Sequence, residues 1–218
     1  MLTDLLILGA GGSSREIADA VRDINRQQPR WNLLGFLDDD PAKQGTLIDG
    51  APVVGPLPSV AAYTAQVIIG IANSRNLGVR RLIVEQLGLP PERYATIVHP
   101  SASVSPHASI GVGTAVLQNV VITPGTAIGS HVLISQNVTM AHDQVVEDFV
   151  IIAGGAAIAG FVRLRAGSYI GLGAVIHPGI TVNEGALVGI GSVALRDVPA
   201  HRSVLGNPAR LVPELPPH

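Results

Sequence analysis

The sequence contains no cysteine, few aromatic residues and little charge. Without cysteine among its 218 residues, the protein can form no disulfide, thiolate nucleophile or cysteine-ligated zinc site. Charged residues make up 14% and aromatic residues 3% of the chain, whereas Gly, Ala, Val and Ile are abundant. This composition favours many short, closely packed backbone elements over a few large ones.

Neither the charge nor the apolar segments indicate binding to nucleic acid or insertion into a membrane. The formal net charge is −2 and no run of Lys or Arg occurs, so the basic patch that binds nucleic acid or anionic lipid is missing. Glycine, proline or polar residues interrupt every apolar stretch, and Leu5–Leu8 has no basic residue before it. We therefore expect a cytoplasmic protein with small-molecule partners.

Residues 1–95 alternate between apolar, strand-like stretches and amphipathic, helix-like ones. The predicted strands are Leu5–Leu8, Leu33–Leu37 and Val67–Ile71, and the predicted helices are Ser14 to about Arg26 and Leu77–Leu87. Such an alternation predicts a small α/β domain of the Rossmann-like type with a mostly parallel sheet.

From residue 98 the pattern changes, because an aliphatic or Met side chain recurs at every sixth position, without a slip, as far as Val188. A helix is excluded, since six residues turn an α-helix by about 600°. The position four residues later is small or β-branched in every repeat except at Gln144. Hexads of this kind predict a coil with a triangular cross-section, with three hexads per turn and about five stacked coils.

The hexad period ends near Arg196-Asp197-Val198-Pro199, and a proline-rich tail follows. We expect this tail to cap the open end of the solenoid. The predicted division is therefore 1–95 for the α/β domain, 96–200 for the parallel β-helix and 201–218 for the capping tail.

Short motifs occur in a fixed order along nearly the whole chain. They are Gly9-Ala10-Gly11-Gly12 with Arg15-Glu16, Phe36-Leu37-Asp38-Asp39, His142-Asp143 with Asp148-Phe149, Gly189-Ile190-Gly191-Ser192, Asp197-Val198-Pro199 and Gly206-Asn207-Pro208-Ala209-Arg210. In this order the chain resembles hexapeptide-repeat sugar acyltransferases of the sialic acid O-acetyltransferase type, which include nucleotide-linked 4-amino-sugar N-acetyltransferases.

The resemblance implies a left-handed β-helix, a homotrimer with active sites in the clefts between neighbouring solenoids, acetyl-CoA lying along the solenoid, and a nucleotide-linked sugar held by the N-terminal domain. The sequence departs from the family pattern at three positions. Ser13 stands where a histidine usually follows the glycines, Ala72 replaces a glycine before Asn73, and Ser135 replaces an asparagine near the sugar.

His142-Asp143 is the candidate catalytic pair. An amine or hydroxyl that attacks a thioester must lose a proton, which an imidazole can accept while a neighbouring carboxylate fixes the ring and stabilises its charged form. Adjacent residues on a strand face opposite ways, so the two side chains can meet only in a turn. The alternative is a solvent-exposed histidine without a function.

The candidate acceptor site follows the predicted strands. Backbone N–H groups of Gly11, Gly12 and Ser13, between a strand and a helix, could bind a diphosphate or sugar hydroxyls. Asp38 and Asp39 could accept hydrogen bonds from a nucleotide or could simply form a turn. Further candidates at the same sheet edge are Asn73, Ser74 and Arg75, with Ser135 added by the resemblance. An NAD site is the rival, but Ser14 occupies the last glycine position of that motif.

Gly160, Leu172 and Ile190 match the acetyl-CoA contacts that the resemblance implies, although glycines are also needed at coil corners. We expect His99, His107, His131 and His177 to face solvent, since no carboxylate is adjacent to any of them. No spacing of histidines and carboxylates suggests a metal site.

Together these features predict acetyl transfer from acetyl-CoA to the amino group of a nucleotide-linked 4-amino sugar, with His142 as general base and Asp143 as its partner. Two alternatives remain at this point. One is O-acetylation of a sugar or sialic acid, and the other is a non-catalytic, nucleotide-binding trimeric scaffold.

Overall fold

The computed structural model describes residues 1–72 and 76–212. The N-terminal elements are β1 (Thr3–Leu8), α1 (Gly12–Gln27), β2 (Trp31–Leu37), β3 (Leu47–Ile48), β4 (Ala51–Gly55), β5 (Gln66–Ile69) and α2 (Val79–Leu87). Their sheet has the order β3-β4-β2-β1-β5 and is parallel except for the β3–β4 hairpin. The predicted parallel α/β domain is confirmed, whereas the hairpin was not predicted.

Strand β1 lies in the middle of the domain and is covered on both faces. Leu5 and Ile7 face α1, and Leu6 and Leu8 face the side where α2 packs. All four side chains are fully buried. A parallel strand buried on both faces requires such a continuous apolar run, and this explains the unbroken Leu5–Leu8 sequence.

The second half forms the predicted left-handed parallel β-helix, built from two-residue strands. They are β6 (Ile97–Val98), β7 (Ser103–Val104), β8 (Ser109–Ile110), β9 (Ala115–Val116), β10 (Val121–Ile122), β11 (Ala127–Ile128), β12 (Leu133–Ile134), β13 (Thr139–Met140), β14 (Val145–Val146), β15 (Ile151–Ile152), β16 (Ala157–Ile158), β17 (Arg163–Leu164), β18 (Tyr169–Ile170), β19 (Val175–Ile176), β20 (Thr181–Val182), β21 (Leu187–Val188) and β22 (Val193–Ala194).

Each strand from β6 to β19 pairs in parallel with the strand three places further along the chain. Residue 122, for example, lies opposite residue 140, one coil further on. The second residue of each strand points inward, and from Val116 to Ala194 these side chains are buried. In the part of the chain that the structure describes, these strands form three faces, and every third strand belongs to the same face. Face 1 begins with β6, β9 and β12, face 2 with β7, β10 and β13, and face 3 with β8, β11 and β14.

The corners between faces are formed by turns with a residue in the left-handed backbone region. We name each corner after one residue near these turns. The His142 corner lies between faces 2 and 3, and its residues with left-handed backbone are Gly125, Asp143, Phe161 and Gly179. The Leu172 corner lies between faces 1 and 2, and its left-handed residues are Asn119, Asn137, Gly155, Gly173 and Gly191. The His131 corner lies between faces 3 and 1, and its left-handed residues are Gly113, His131, Phe149, Gly167 and Gly185.

The segment that follows the hexads adds another rung to the solenoid. Strand β23 (Ser203–Leu205) pairs in parallel with β21, and β24 (Arg210–Val212) returns antiparallel to it. Val204 is buried against the solenoid core, where Ala209 also packs. This part of the predicted capping tail therefore pairs with face 1 instead of only covering its end.

Face 1 of the solenoid packs directly on the N-terminal domain. The outward side chains of this face are buried in one cluster with residues from β1 and α1; the solenoid contributes Ile97, Ala115, Leu117, Leu133 and Ile151 to it. The first residues of these face 1 strands are therefore apolar, and the two halves share this cluster.

Candidate active site

His142 and Asp143 are in contact at a corner of the solenoid. They lie in the turn between β13 and β14, where Asp143 has a φ of 57°. This turn brings the two adjacent side chains together, and His142 Nδ1 lies 2.9 Å from Asp143 Oδ2. When Nδ1–H donates a hydrogen bond to the carboxylate, Nε2 is left unprotonated as the acceptor, which is the arrangement that a general base requires. Both side chains are about half exposed, so a substrate can reach them.

Two glycines make room for this pair, one in the preceding coil and one in the following coil. A Cβ atom on Gly160 would lie 2.9 Å from Nε2 of His142, and a Cβ atom on Gly125 would lie 2.2 Å from Oδ1 of Asp143. Both distances are too short for any real contact. The imidazole and the carboxylate therefore pack on bare backbone, which was not predicted for Gly125.

Phe161 is a further neighbour of the pair that sequence reasoning missed. Its ring meets the ring of His142 edge-on, with centroids 5.0 Å apart and an interplanar angle of 88°. Phe161 occupies the left-handed position of its turn, where the neighbouring coils of this corner have Asp143 and Gly179. The hexad pattern does not mark this corner position, so the sequence carried no signal for the contact.

The predicted glycine-rich site forms a cleft of about 450 Å³ in the N-terminal domain. Its walls are Gly9, Ala10, Gly11, Gly12, Ser13, Asp38, Lys43, Gly70, Ile71 and Ala72. Helix α1 begins here, with Gly11 as its N-cap, so the first N–H groups and the positive end of the helix dipole lie in the cleft. Such a site suits a phosphate or a sugar hydroxyl.

Asp38 is held in one orientation within this cleft. Its Oδ2 accepts hydrogen bonds from Ala10 N at 2.7 Å and Lys43 Nζ at 3.0 Å, and its Oδ1 accepts one from Asp40 N at 3.0 Å. Burial acts to raise the pKa of Asp38, but the hydrogen bonds from Asp40, Lys43 and Ala10 outweigh it, so the pKa is lowered. The carboxylate is thus charged and fixed at neutral pH. Lys43 was not predicted here.

Asp39 lies outside the glycine cleft. Its side chain is exposed, and Oδ1 accepts a hydrogen bond of 2.8 Å from Leu57 N, at the start of a 3₁₀ turn over Leu57–Ala62. In the structure, Asp39 therefore stabilises a turn, which is the second of the two interpretations given for it above. Asn73, Ser74 and Arg75, the other predicted acceptor-site residues of the N-terminal half, lie outside the described residues.

The residues predicted to hold acetyl-CoA do not lie together within one chain. Gly160 is at the His142 corner, whereas Leu172 and Ile190 are at the Leu172 corner with exposed fractions of 56% and 76%. Ser135, at the end of β12, also lies on the Leu172 side. Face 2 separates the two corners, so a single chain does not bring the donor residues and His142 into one groove.

The expectation that the remaining histidines face solvent holds for His107 and His177 and is wrong for His99 and His131. His99 is buried between Ser101, which lies 2.8 Å from Nδ1, and Asp23, which lies 3.1 Å from Nε2. His131 is buried because it packs under the N-terminal domain, a contact that the repeat pattern does not encode.

Within the two described ranges, no group of three histidine, aspartate or glutamate side chains is arranged to hold a metal ion. None of the helices in the described part of the chain has both the length and the apolar character needed to cross a membrane.

A hexad solenoid with an accessible His-Asp pair, joined to an α/β domain with a glycine-rich cleft, defines the class of hexapeptide-repeat acyltransferases. Comparison with known proteins identifies the family within this class. Residues 4–87 match the family described as the PglD N-terminal domain. The acetyltransferase domain of PglB from Neisseria gonorrhoeae FA1090 is 30% identical, with a TM-score of 0.84 over 96% of this chain and 99% of that domain.

A second structure of that domain, in complex with acetyl coenzyme A, is 29% identical with a TM-score of 0.86 over 97% of this chain and 100% of the other. PerB from Caulobacter crescentus, in complex with CoA and GDP-perosamine, is 26% identical with a TM-score of 0.83 over 98% and 99% of the two chains. UDP-N-acetylbacillosamine N-acetyltransferase of Bacillus subtilis (strain 168) is 29% identical over 119 residues, which span 53% of this chain and 52% of that protein.

The chain belongs to this family of hexapeptide-repeat sugar acetyltransferases, as its motifs predicted. The match with the curated Bacillus relative covers about half the length of that protein.

Proposed function

We propose that the protein transfers the acetyl group of acetyl-CoA to the amino group of a nucleotide-linked 4-amino sugar. The observation that carries the proposal is the 2.9 Å contact between His142 Nδ1 and Asp143 Oδ2, which leaves Nε2 as an accessible base. Relatives that this chain matches along nearly their whole length bind acetyl-CoA, or CoA with an amino sugar nucleotide. These relatives favour an amine over a hydroxyl as the acceptor.

In the proposed reaction, Nε2 of His142 accepts a proton from the sugar amine as the nitrogen attacks the thioester carbon. Asp143 stabilises the imidazolium that forms. The tetrahedral intermediate then breaks its carbon–sulfur bond, and the departing CoA thiolate takes up the proton from His142. Most of the rate enhancement would come from alignment of amine and thioester at this corner.

We place the nucleotide diphosphate of the acceptor at the glycine cleft. The N–H groups of Gly11, Gly12 and Ser13 would donate to its oxygens, and the positive end of α1 would favour its charge. Asp38 would fix the loop and accept from the nucleotide, while Asp39, Asn73, Ser74, Arg75 and Ser135 remain candidates for the rest of the acceptor site.

We further propose that the active enzyme is a homotrimer working in the cytoplasm, where acetyl-CoA and activated sugars are made. Support comes from the separation of the corners, because Leu172 and Ile190 can join His142 and Gly160 in one donor groove only if they belong to a neighbouring subunit. The side chains of Val121 and Val175 on face 2, between the corners, are exposed and apolar. Sedimentation of the purified protein tests this, and a monomer would exclude it.

The activity is tested by incubating the protein with acetyl-CoA and a panel of UDP-, GDP- and dTDP-linked 4-amino sugars, with detection of the acetylated product by mass spectrometry. We expect His142→Ala to lose most turnover, whereas His107→Ala, at an exposed histidine of the same corner, retains it. Full activity of the His142 variant would exclude the mechanism. If hydroxylamine cleaves the acetyl group from the product, the product is an ester, and this result would support O-acetylation. If the protein fails to bind acetyl-CoA, the result would support the alternative of a non-catalytic scaffold.

A further inference from the structure

Gln144 is a long polar side chain at a position where the solenoid otherwise has small or β-branched ones. The equivalent position in the other hexads, from residue 102 to residue 192, holds Ala, Ser, Thr, Val or Ile. The side chain of Gln144 is completely buried, and its Oε1 has no hydrogen-bond partner among the described residues. A buried oxygen without a partner destabilises a fold, so packing does not explain this residue. The exception directly follows His142-Asp143.

The amide nitrogen of Gln144 bonds to the next coil of the same corner. Nε2 donates to the carbonyl oxygens of Ile158 at 2.9 Å and Ala159 at 3.0 Å. These two residues directly precede Gly160, the glycine on which the imidazole of His142 packs. The amide of Gln144 therefore holds, from inside the solenoid, the backbone that supports the imidazole from the next coil.

Ile158 links this support to the backbone that carries the imidazole. Its carbonyl oxygen also accepts a hydrogen bond of 2.9 Å from the N–H of Ala141, the residue before His142. A shift of the backbone at residues 158–160 would therefore disturb both the attachment of the imidazole and the surface on which it rests. Catalytic groups need placement within about 0.5 Å, which hydrogen bonds from supporting residues provide.

Threonine side chains make a similar bond at two other places in the solenoid. Thr114 Oγ1 donates to the carbonyl oxygen of Gly129 at 2.9 Å, at the His131 corner. Thr126 Oγ1 donates to that of Ala141 at 3.4 Å, in the coil before Gln144. The partner lies 15 residues further along the chain in both cases, as Ala159 does from Gln144. A threonine at position 144 can therefore make the bond to Ala159.

We propose that Gln144 is a positioning residue, which fixes the backbone of residues 158–160 next to His142 and so holds Nε2 where it accepts the proton of the acceptor. This inference rests on the proposed function, because it assigns a supporting residue to the proposed base. Gln144 acts from the interior of the solenoid and does not contact the substrates.

The test compares Gln144→Val with Gln144→Thr, two side chains of the same shape of which only threonine can donate a hydrogen bond. Gln144→Val should lower kcat about tenfold and leave the KM values for acetyl-CoA and the amino sugar unchanged, because a displaced imidazole impairs proton transfer and not binding. Gln144→Thr should retain most of kcat. Thr114→Val, which removes the same kind of bond at the His131 corner, is the matched control and should keep the wild-type kcat.

The Gln144→Val variant is expected to fold, because Val162 occupies the equivalent position one coil further on and is buried there. A thermal melt at or above the wild-type temperature would establish this, since the substitution also removes the unpaired Oε1. Crystal structures of both variants give a readout that does not depend on turnover. We expect the imidazole of His142 to leave its place beside Gly160 in Gln144→Val and to keep it in Gln144→Thr.

Three results would overturn the inference: a wild-type kcat in Gln144→Val, an equal loss of kcat in Gln144→Val and Gln144→Thr, or an imidazole that stays in place in the structure of Gln144→Val. A wild-type protein that is inactive with every amino sugar would instead remove the proposed function. In that case the imidazole positions in the two structures would still decide whether Gln144 positions His142.

Discussion

The carbonyl oxygen of His131 accepts a hydrogen bond of 2.8 Å from Nη2 of Arg80. Nη1 of the same guanidinium donates to the carbonyl oxygens of Ile69 at 3.1 Å and Ile71 at 2.8 Å. Arg80 is completely buried, and burial lowers its pKa to about 10, so it remains charged at neutral pH. One cation thus ties the His131 corner of the solenoid to the end of β5, beside the glycine cleft.

Arg80→Met should destabilise the protein by about 3 kcal/mol, because the substitution leaves buried carbonyl groups without donors. Urea unfolding would measure this loss. Arg81→Met is the matched control, since the neighbouring Arg81 is partly exposed and pairs with Glu184 at 3.4 Å. An exposed pair contributes less than about 1 kcal/mol. Equal stability of the two variants would contradict the role assigned to Arg80.

Stability should also depend on the protonation of His131. Burial and, to a lesser extent, the charge of Arg80 lower its pKa to about 4 from 6.5. Between these values the unfolded chain binds a proton that the folded protein does not, so stability is complete above pH 6.5 and falls as the pH decreases towards 4. At pH 5 this group should reduce the free energy of unfolding by about 2 kcal/mol.

The measurement is urea unfolding at pH 7 and pH 5 for the wild type and for His131→Asn. Asn tolerates the left-handed backbone of this position, where φ is 57°, and does not titrate in this range. We expect a smaller difference between the two pH values in the variant. If wild type and variant lose the same stability on acidification, other groups cause the pH dependence.

Gly160→Ala should impair catalysis with little effect on folding. Its added methyl group would lie 2.9 Å from Nε2 and Cε1 of His142 and would push the imidazole away from its place, while the backbone at this position is open to alanine. Displacement of a catalytic group by about 1 Å can cost on the order of 100-fold in kcat. Gly78→Ala, where the nearest atom lies 3.8 Å from the added Cβ, should leave kcat unchanged.

Gly125→Ala and Gly179→Ala separate backbone strain from the contact with Asp143. Both glycines occupy the left-handed position of the His142 corner, with φ values of 76° and 74°. Only the methyl group on residue 125 would collide with Asp143, at 2.2 Å from Oδ1. Both variants should lose about 1 kcal/mol of stability to strain, and Gly125→Ala alone should lose activity in addition. Equal activities would argue against Asp143 as the partner of His142.

The sequence predicted the solenoid well because the hexad places one inward side chain on every strand, and nothing else in the chain competes with that pattern. It predicted the meeting of His142 and Asp143 only conditionally, since a turn was required and periodicity does not specify the φ of Asp143. The burial of His99 and His131 could not be predicted, because each depends on a contact between residues far apart in the chain, Asp23 with His99 and Arg80 with His131.

The hairpin of β3 and β4 illustrates another limit. Strand β3 has only two residues, too few for an alternation of apolar and polar side chains to be visible. Phe161 was missed for the opposite reason. The hexad marks inward positions clearly, but it does not distinguish among corner residues, which determine where a solenoid carries out chemistry.

The apolar cluster shared by face 1 and the N-terminal domain has a consequence for protein engineering. A solenoid expressed without residues 1–95 would expose Ala115, Leu133 and Ile151 to water as a hydrophobic patch, which favours aggregation. A chimaera that takes its N-terminal domain from a relative must therefore preserve the apolar contact between this domain and face 1 as well as the ligand cleft. Exchange of substrate preference between such enzymes should proceed more readily through loop and corner residues than through whole modules.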